Sequence, residues 1–505
     1  MDVEQLKQDV RDGRVDLERL VDLIGMLQRQ LDRANRRIEE LESRLDGSPT
    51  EKVDQPFSVH AEEQRQADRG RTSRKKNKPV RRGRITKAAE IGLAVRTEQV
   101  FPTEVSPELC QFSHTRLVWR LEGGQAVLVA YDIYRGPKNR YGKIDGVLGR
   151  SEFGLEIVMS LAYLVHVTGI SFDKACQLLK FFQNLTLTKS QADALLNQLS
   201  RAWEAEFDVL CTLLANSAVV HADETSWSIH SVWAFLSEKA RVLFFGVHKD
   251  AATLKVILDP ATFAGIVISD DAAVYANFSQ SQKCWAHLLR KAIKLTLLEP
   301  ANPDYRQFTD RLLEIYRQAC RIQQDQRFSG EGRKRKVVEL DEQICDLCGA
   351  TWFADLPPLD GPDNDLRLLC HELMRLMLDR QLFVFVTAAA VTFPNGETKA
   401  VGGTNNESER TLRPPAEARK TGRTNKTSRG ARRQTILVSV LESLRLYVVE
   451  YTLPNLIAEI RRWGRTGRSC FTRLLEKLKL KPPLGLAAGH PSSGSRRVTS
   501  RAMRD

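Results

Sequence analysis

The sequence predicts a multidomain α/β protein, on three observations. Its 505 residues allow about three domains, and 42% hydrophobic residues provide an ordinary buried core. A leucine-rich heptad pattern opens the chain, and a basic, polar stretch separates it from the remaining domains. Between Ser217 and Asp270, short apolar runs take the order strand, strand, strand, helix, strand.

The heptad segment covers residues 1–46. Leu17, Leu20, Ile24, Leu27, Leu31, Ala34, Ile38, Leu41 and Leu45 keep alternating three- and four-residue spacing, which sets one apolar seam on a helix. The pattern predicts a coiled coil, and with it a homodimer or higher assembly. Residues 47–90 are polar and increasingly basic, with too few apolar side chains for a core. They read as a disordered linker. Arg74, Lys75, Lys76, Arg81 and Arg82 lie in its basic run and suit a phosphate backbone or a minor groove. The net charge of +13 favours the same polyanionic partner. The acidic, amphipathic start lacks the layout of a secretory signal, and no apolar run is long enough to span a membrane. The reading is a cytoplasmic protein, nucleoid-associated if it binds DNA, with its nine cysteines reduced.

Residues 91–150 form a small β-containing domain, marked by the alternating runs between Leu117 and Tyr134. Residues 151–210 are helical. Ser171 can cap one helix and Thr188 a second, a pair that fits a helix-turn-helix DNA-binding region presenting Lys189 and Gln191 to a groove.

Residues 211–450 hold the chemistry. AVVHADET runs into Asp223, VWAFLS and RVLFFGVH are two further strands, Ala251 to Leu258 is a short helix, and GIVISD ends at Asp270. Hairpin-sized gaps join the first three strands, while the helix suits a crossover to a parallel neighbour. That order is the order of a ribonuclease-H-like sheet, in which the first and fourth strands lie side by side. Asp223 and Asp270 then share a crevice. Adjacent carboxylates repel one another and favour a divalent cation, and hard oxygen donors select Mg²⁺ or Mn²⁺. Two ions held there serve phosphoryl chemistry, and a third acidic ligand is expected farther along the chain.

Four motifs, HADETSW, SDDAAVY, KCWAHLLRK and TNNESERTLRP, resemble in order those of transposases of the insertion sequence 66 family. By position the resemblance implies Asp223, Asp270 and Glu409 as catalytic, metal-binding carboxylates, with Asp271 and Glu407 as competing neighbours. It also implies a catalytic core interrupted by a helical insertion over about 288–400. Trp285 and His287 fall near the crevice, Asn406 can cap a helix carrying Glu409, and Arg410 and Arg413 lie alongside for phosphate.

The cysteine-rich zinc module common in the family has no counterpart here, so no zinc is expected; Cys345, Cys348 and Cys370 read instead as thiols of a helical bundle. Thr435 to Leu446 is an apolar helix for the core sheet, and residues 451–505 are a basic C-terminal tail. The expected function is a DNA transposase that cleaves element ends and joins 3′-hydroxyls to target DNA by metal-dependent transesterification. Its partners are double-stranded DNA (terminal inverted repeats and target) and accessory proteins encoded by the element. Two rivals fit the same residues: a DNA-binding protein whose carboxylates are unused, and a nuclease without joining activity.

Overall fold

The computed structural model of the protein describes residues 91–352 and 361–480. The coiled coil, the basic linker with Arg74, Lys75, Lys76, Arg81 and Arg82, and the chain beyond 480 lie outside the described residues.

The first described sheet is built from β1 (Arg96–Val100), β2 (Gln111–Glu122), β3 (Gln125–Gly136) and β4 (Arg140–Tyr141). The long hairpin of β2 and β3 carries β1 parallel to β3 on its other edge. Four helices come next: α1 (Leu155–Ala162), α2 (Phe172–Gln183), α3 (Lys189–Ala202) and α4 (Glu204–Ala215). A π turn over Tyr163–Val167 extends α1. Both caps read from the sequence are present. The Ser171 side chain accepts from the Lys174 N–H, and Thr188 and Gln191 form a reciprocal capping box.

The central sheet contains β5 (Val219–Ser226), β6 (Ser231–Ser237), β7 (Arg241–Val247), β8 (Ile266–Ser269) and β9 (Ser281–Lys283), with α5 (Ala251–Ile257) as the crossover. Its order is β7-β6-β5-β8-β9. The first three strands are antiparallel, whereas β5, β8 and β9 run parallel. The short connections and the helical crossover thus produce the neighbours the spacing predicts. Side chains alternate between two buried faces. Val220, Ala222, Trp233, Phe235, Val242, Phe244 and Val267 join the core of α1 to α4. Val219 and Ile268 face the other way.

After β9 the chain forms α6 (Trp285–Leu298), α7 (Pro303–Gln324), α8 (Gly330–Trp352), α9 (Gly361–Leu378) and α10 (Val384–Thr387). A small hairpin, β10 (Val391–Thr392) with β11 (Thr398–Lys399), comes after them. These helices share one core, in which Cys348 and Cys370 are fully buried and Cys345 packs against Met377. The expected helical insertion opens with two helices rather than one long one, because Asn302 caps α7 and Pro303 occupies its first turn. The basic run Arg333 to Lys336 lies on α8, where Lys334 and Lys336 pair with Glu331 and Glu339.

The last helices are α11 (Asn406–Lys420), α12 (Ser428–Leu444), α13 (Leu453–Thr466) and α14 (Cys470–Leu478). The tail expected over 451–505 is therefore corrected for its first part. Leu456, Ile460 and Trp463 recur at helical spacing, and with Cys470 and Phe471 they are buried in the core. The abundant arginines of this segment concealed that pattern.

The edge strand β7 is covered by α12 in an unusual way. Thr435, Ser439 and Ser443, four residues apart, each accept a backbone N–H of β7: Phe245, Leu243 and Arg241, all at 2.9 Å. Gly246, with φ of +73°, lets α12 approach; a Cβ there would meet Ala431 at 2.9 Å. An otherwise open sheet edge is thereby satisfied.

Candidate active site

Asp223 lies on β5 on the same side of the strand as Val219, and Asp270 comes after β8 in step with Ile268, so both point to the face covered by α6 and α11. Helix α11 brings Glu409 there. Burial pushes the Asp223 carboxyl up to about 7, and the charges of Glu224, Asp270 and Glu409 push the same way. One Asp223 oxygen accepts the Glu224 N–H at 2.9 Å. Asp270 accepts the Ala272 N–H at 3.1 Å, and its carbonyl accepts from the buried Lys283 ammonium at 3.1 Å.

The two competing carboxylates have other partners. Asp271 pairs with Arg375 of α9, and Glu407 pairs with Arg241 of β7 at 2.5 Å. Glu409 is gripped by Arg290 of α6, whose terminal nitrogen lies 2.7 and 2.8 Å from its two oxygens. His287 Nδ1 is 3.7 Å from Glu409.

Of the residues named for support, Trp285 belongs to the core. It is fully buried, donates to the Leu382 carbonyl at 2.7 Å and stacks on Tyr316. Asn406 is the first residue of α11, and the cap position belongs to Asn405, with no side-chain cap bond. Asn405 acts as a tether: fully buried, it donates its side-chain N–H to the Ala222 carbonyl at 2.8 Å, fixing α11 against β5. Its backbone N–H donates to Cys284 Sγ at 3.1 Å. Lys189 is exposed and pairs with Asp173, while the Gln191 carbonyl is occupied by the Thr188 cap. Arg410 and Arg413 are exposed on α11.

Sequence reasoning missed four contributors. Arg290 and Lys283 stand inside KCWAHLLRK, and Asn405 inside TNNESERTLRP, so the motifs held the signal without showing which side chain meets which. The fourth is Glu224, whose carboxylate, on the opposite side of β5 from Asp223, accepts from the buried Tyr275 hydroxyl and pairs with Lys249 at 2.9 Å. This network buttresses the strand directly behind the site.

A cleft of about 840 Å³ opens beside these groups, lined by Asp270, Asp271, His287, Lys291, His371 and Arg375. The donor chemistry of Asp223, Asp270 and Glu409 fits a hard divalent cation. They are all oxygen ligands, and the ionisation of Asp223 is opposed by burial and by its neighbours, a cost a cation would offset. Among the described residues, the group whose ligand atoms lie within 4.8 Å of one another is Cys284, His287 and Glu409, and Asp223 and Asp270 stand outside it. The Cys284 thiol, however, is raised by burial and already accepts the Asn405 N–H, which weakens it as a soft-metal ligand.

A carboxylate within β5 and another directly after its parallel neighbour β8, with Arg290, Lys291, Arg375 and His287 nearby, suit an enzyme whose substrate is a polyanion. The chain belongs to the IS66 family of transposases: the model described as Transposase IS66 family matches residues 150–433. It is thus a transposase, a DNA-modifying enzyme. No curated protein matches the chain. No helix among the described residues is long and apolar enough to cross a membrane.

Proposed function

We propose that this transposase cleaves DNA at the ends of its element and joins the freed 3′-hydroxyls to target DNA, with Asp223, Asp270 and Glu409 as its catalytic carboxylates. The observation that carries the reading is the proximity of Asp270, after β8, and Glu409, on α11, to Asp223 of β5, close enough for both charges to raise its carboxyl. Asp270 and Glu409, and not Asp271 or Glu407, are the neighbours whose charges act on Asp223, which supports their choice. The strand order and directions support a ribonuclease-H-like core, and helices α6 to α10 stand as the insertion.

The three carboxylates would hold two Mg²⁺ or Mn²⁺ ions. Bound there, such ions supply activation of a water or hydroxyl and stabilisation of the leaving oxygen. The protein's own part is positional. Asn405 fixes α11 to β5, Arg290 orients Glu409, and Lys283 braces the backbone of Asp270. The basic linker, the helix pair α2 and α3, Arg410 and Arg413 are proposed DNA contacts, for terminal inverted repeats and target alike. The heptad segment is proposed to assemble a homodimer or larger complex, with accessory proteins of the element, in the cytoplasm on the nucleoid.

The test is a cleavage and strand-transfer assay on DNA carrying the element's ends, comparing wild type with Asp223→Asn and Glu409→Gln, with Mg²⁺ and with EDTA. Joined products that vanish in both variants and in EDTA are expected. Specific binding without chemistry, even with the neighbouring gene products supplied, would replace this reading with that of a DNA-binding protein.

A further inference from the structure

Behind the catalytic helix lies a second cavity, of about 650 Å³, walled by the segment after the π turn, β7, α11 and α12. Five arginines line it (Arg241, Arg410, Arg423, Arg433 and Arg445) against two carboxylates, Glu407 and Glu442. Three side-chain nitrogens at its wall are buried without a hydrogen-bond partner: His166 Nε2, Arg241 Nε and Arg433 Nε. Arg241 Nε and Arg433 Nε are donors, and a buried donor left unpaired loses its water without compensation, so an acceptor is missing there. The first turn of α2, at Ser171 and Phe172, also borders the space and brings the positive end of a twelve-residue helix to it. Burial and the Arg433 charge push His166 down to about 3, so it stays neutral and adds no charge to the cavity.

We propose that this cavity is a phosphate-binding site, filled by a backbone phosphate of the DNA substrate. The assignment rests on the transposase reading and adds to it a contact on the far side of α11 from the chemistry. Glu407, Arg410, Thr411 and Pro414 line the cavity, spaced as one face of a helix, whereas Glu409 is about 200° around the helix from Glu407. A phosphate held by Arg410 and Arg241 therefore grips the helix that carries the third carboxylate. DNA bound behind the crevice and the geometry within it are coupled through one rigid element. The same chemistry would accept free inorganic phosphate, so the experiment separates the two sources.

The full chain is compared with the double variant Arg410→Gln/Arg423→Gln and with Arg410→Lys; both arginines are exposed, and melting in chloride buffer checks that the fold is kept. Affinity for duplex DNA is measured by fluorescence anisotropy over a salt series. Inorganic phosphate against chloride at equal ionic strength is tested by thermal shift. Wild type should melt higher in phosphate and the double variant should not. The double variant's slope of log K against log salt should be shallower by about 1, the signature of one lost phosphate contact, equally on element ends and unrelated DNA. Arg410→Lys should keep the wild-type slope. An unchanged slope in the double variant overturns the proposal. If phosphate stabilisation is lost while the slope is unchanged, the site takes free anions and the DNA assignment falls. Neither measurement requires chemistry, so a wild-type protein that joins no DNA would sink the catalytic reading while slope and thermal shift still decide this one.

Discussion

Arg290 and Glu409 are joined across two elements that the sequence separates by more than a hundred residues. One guanidinium nitrogen of Arg290, on α6, reaches both oxygens of Glu409, on α11. On the proposed assignment, the first helix of the insertion thus holds the third carboxylate in place. Groups that orient a ligand in this way usually matter about 10–100-fold in activity or metal affinity. Arg290→Ala should lower strand transfer by about that factor while leaving the dependence on divalent cation intact, and Arg290→Lys should recover part of the loss. Equal rates for Arg290→Ala and wild type, across a Mg²⁺ titration, would remove the positioning role.

Asp270 and its neighbour Asp271 offer a sharper discrimination. Asp271 is engaged with Arg375, whereas the Asp270 side chain accepts the nearby Ala272 N–H and faces the crevice. Asp270→Asn should reduce strand transfer to background, whereas Asp271→Asn should retain it, since losing a partly exposed ion pair costs little. The reverse ranking, in the same joining assay, would move the second ligand to Asp271.

Asp223 gives the stability of the metal-free protein a pH-dependent contribution. Its carboxyl is raised to about 7 by burial first and by neighbouring carboxylates second. A raised carboxyl contributes stability that is complete below the unfolded value near 4 and is lost as pH rises through about 7. Without metal, Asp223→Asn should therefore melt higher than wild type at pH 8, by an amount with a ceiling of about 4 kcal/mol. The gap should close toward pH 4. Adding Mg²⁺ at pH 8 should stabilise wild type and narrow the gap again. A pH-independent difference in melting temperature would show that Asp223 ionises freely in the fold.

The features legible in the chain share a physical character: they are local. The hydroxyls of Ser171 and Thr188 start helices where they precede an apolar run, and strand spacing fixed the neighbours of β5 and β8. Asp223 stood out because an apolar strand runs into it. Partnerships between distant segments were not legible, since no rule of spacing ties Arg290 to Glu409 or Asn405 to Ala222. Composition also misled: the arginines of residues 453–478 mask an apolar stripe of Leu456, Ile460 and Trp463. Assigning the cap to Asn406 failed by one residue, because Asn405 faces inward to the β5 backbone rather than along its own helix.

The hydroxyl ladder of α12 is the least expected of these partnerships and the easiest to weigh. Ser439 is fully buried and serves Leu243 twice, accepting its N–H at 2.9 Å and donating to its carbonyl at 3.2 Å. Ser439→Ala removes no more than one oxygen from a tightly packed interface, but it strands a buried N–H that water cannot reach. A cost of about 1–3 kcal/mol is expected from the unpaired donor. Ser439→Val should cost more, because added bulk must also fit a fully buried position against β7. Urea unfolding of the two variants measures both. Stability unchanged in Ser439→Ala would mean that β7 finds another acceptor, and that van der Waals packing of α12 alone secures the sheet edge.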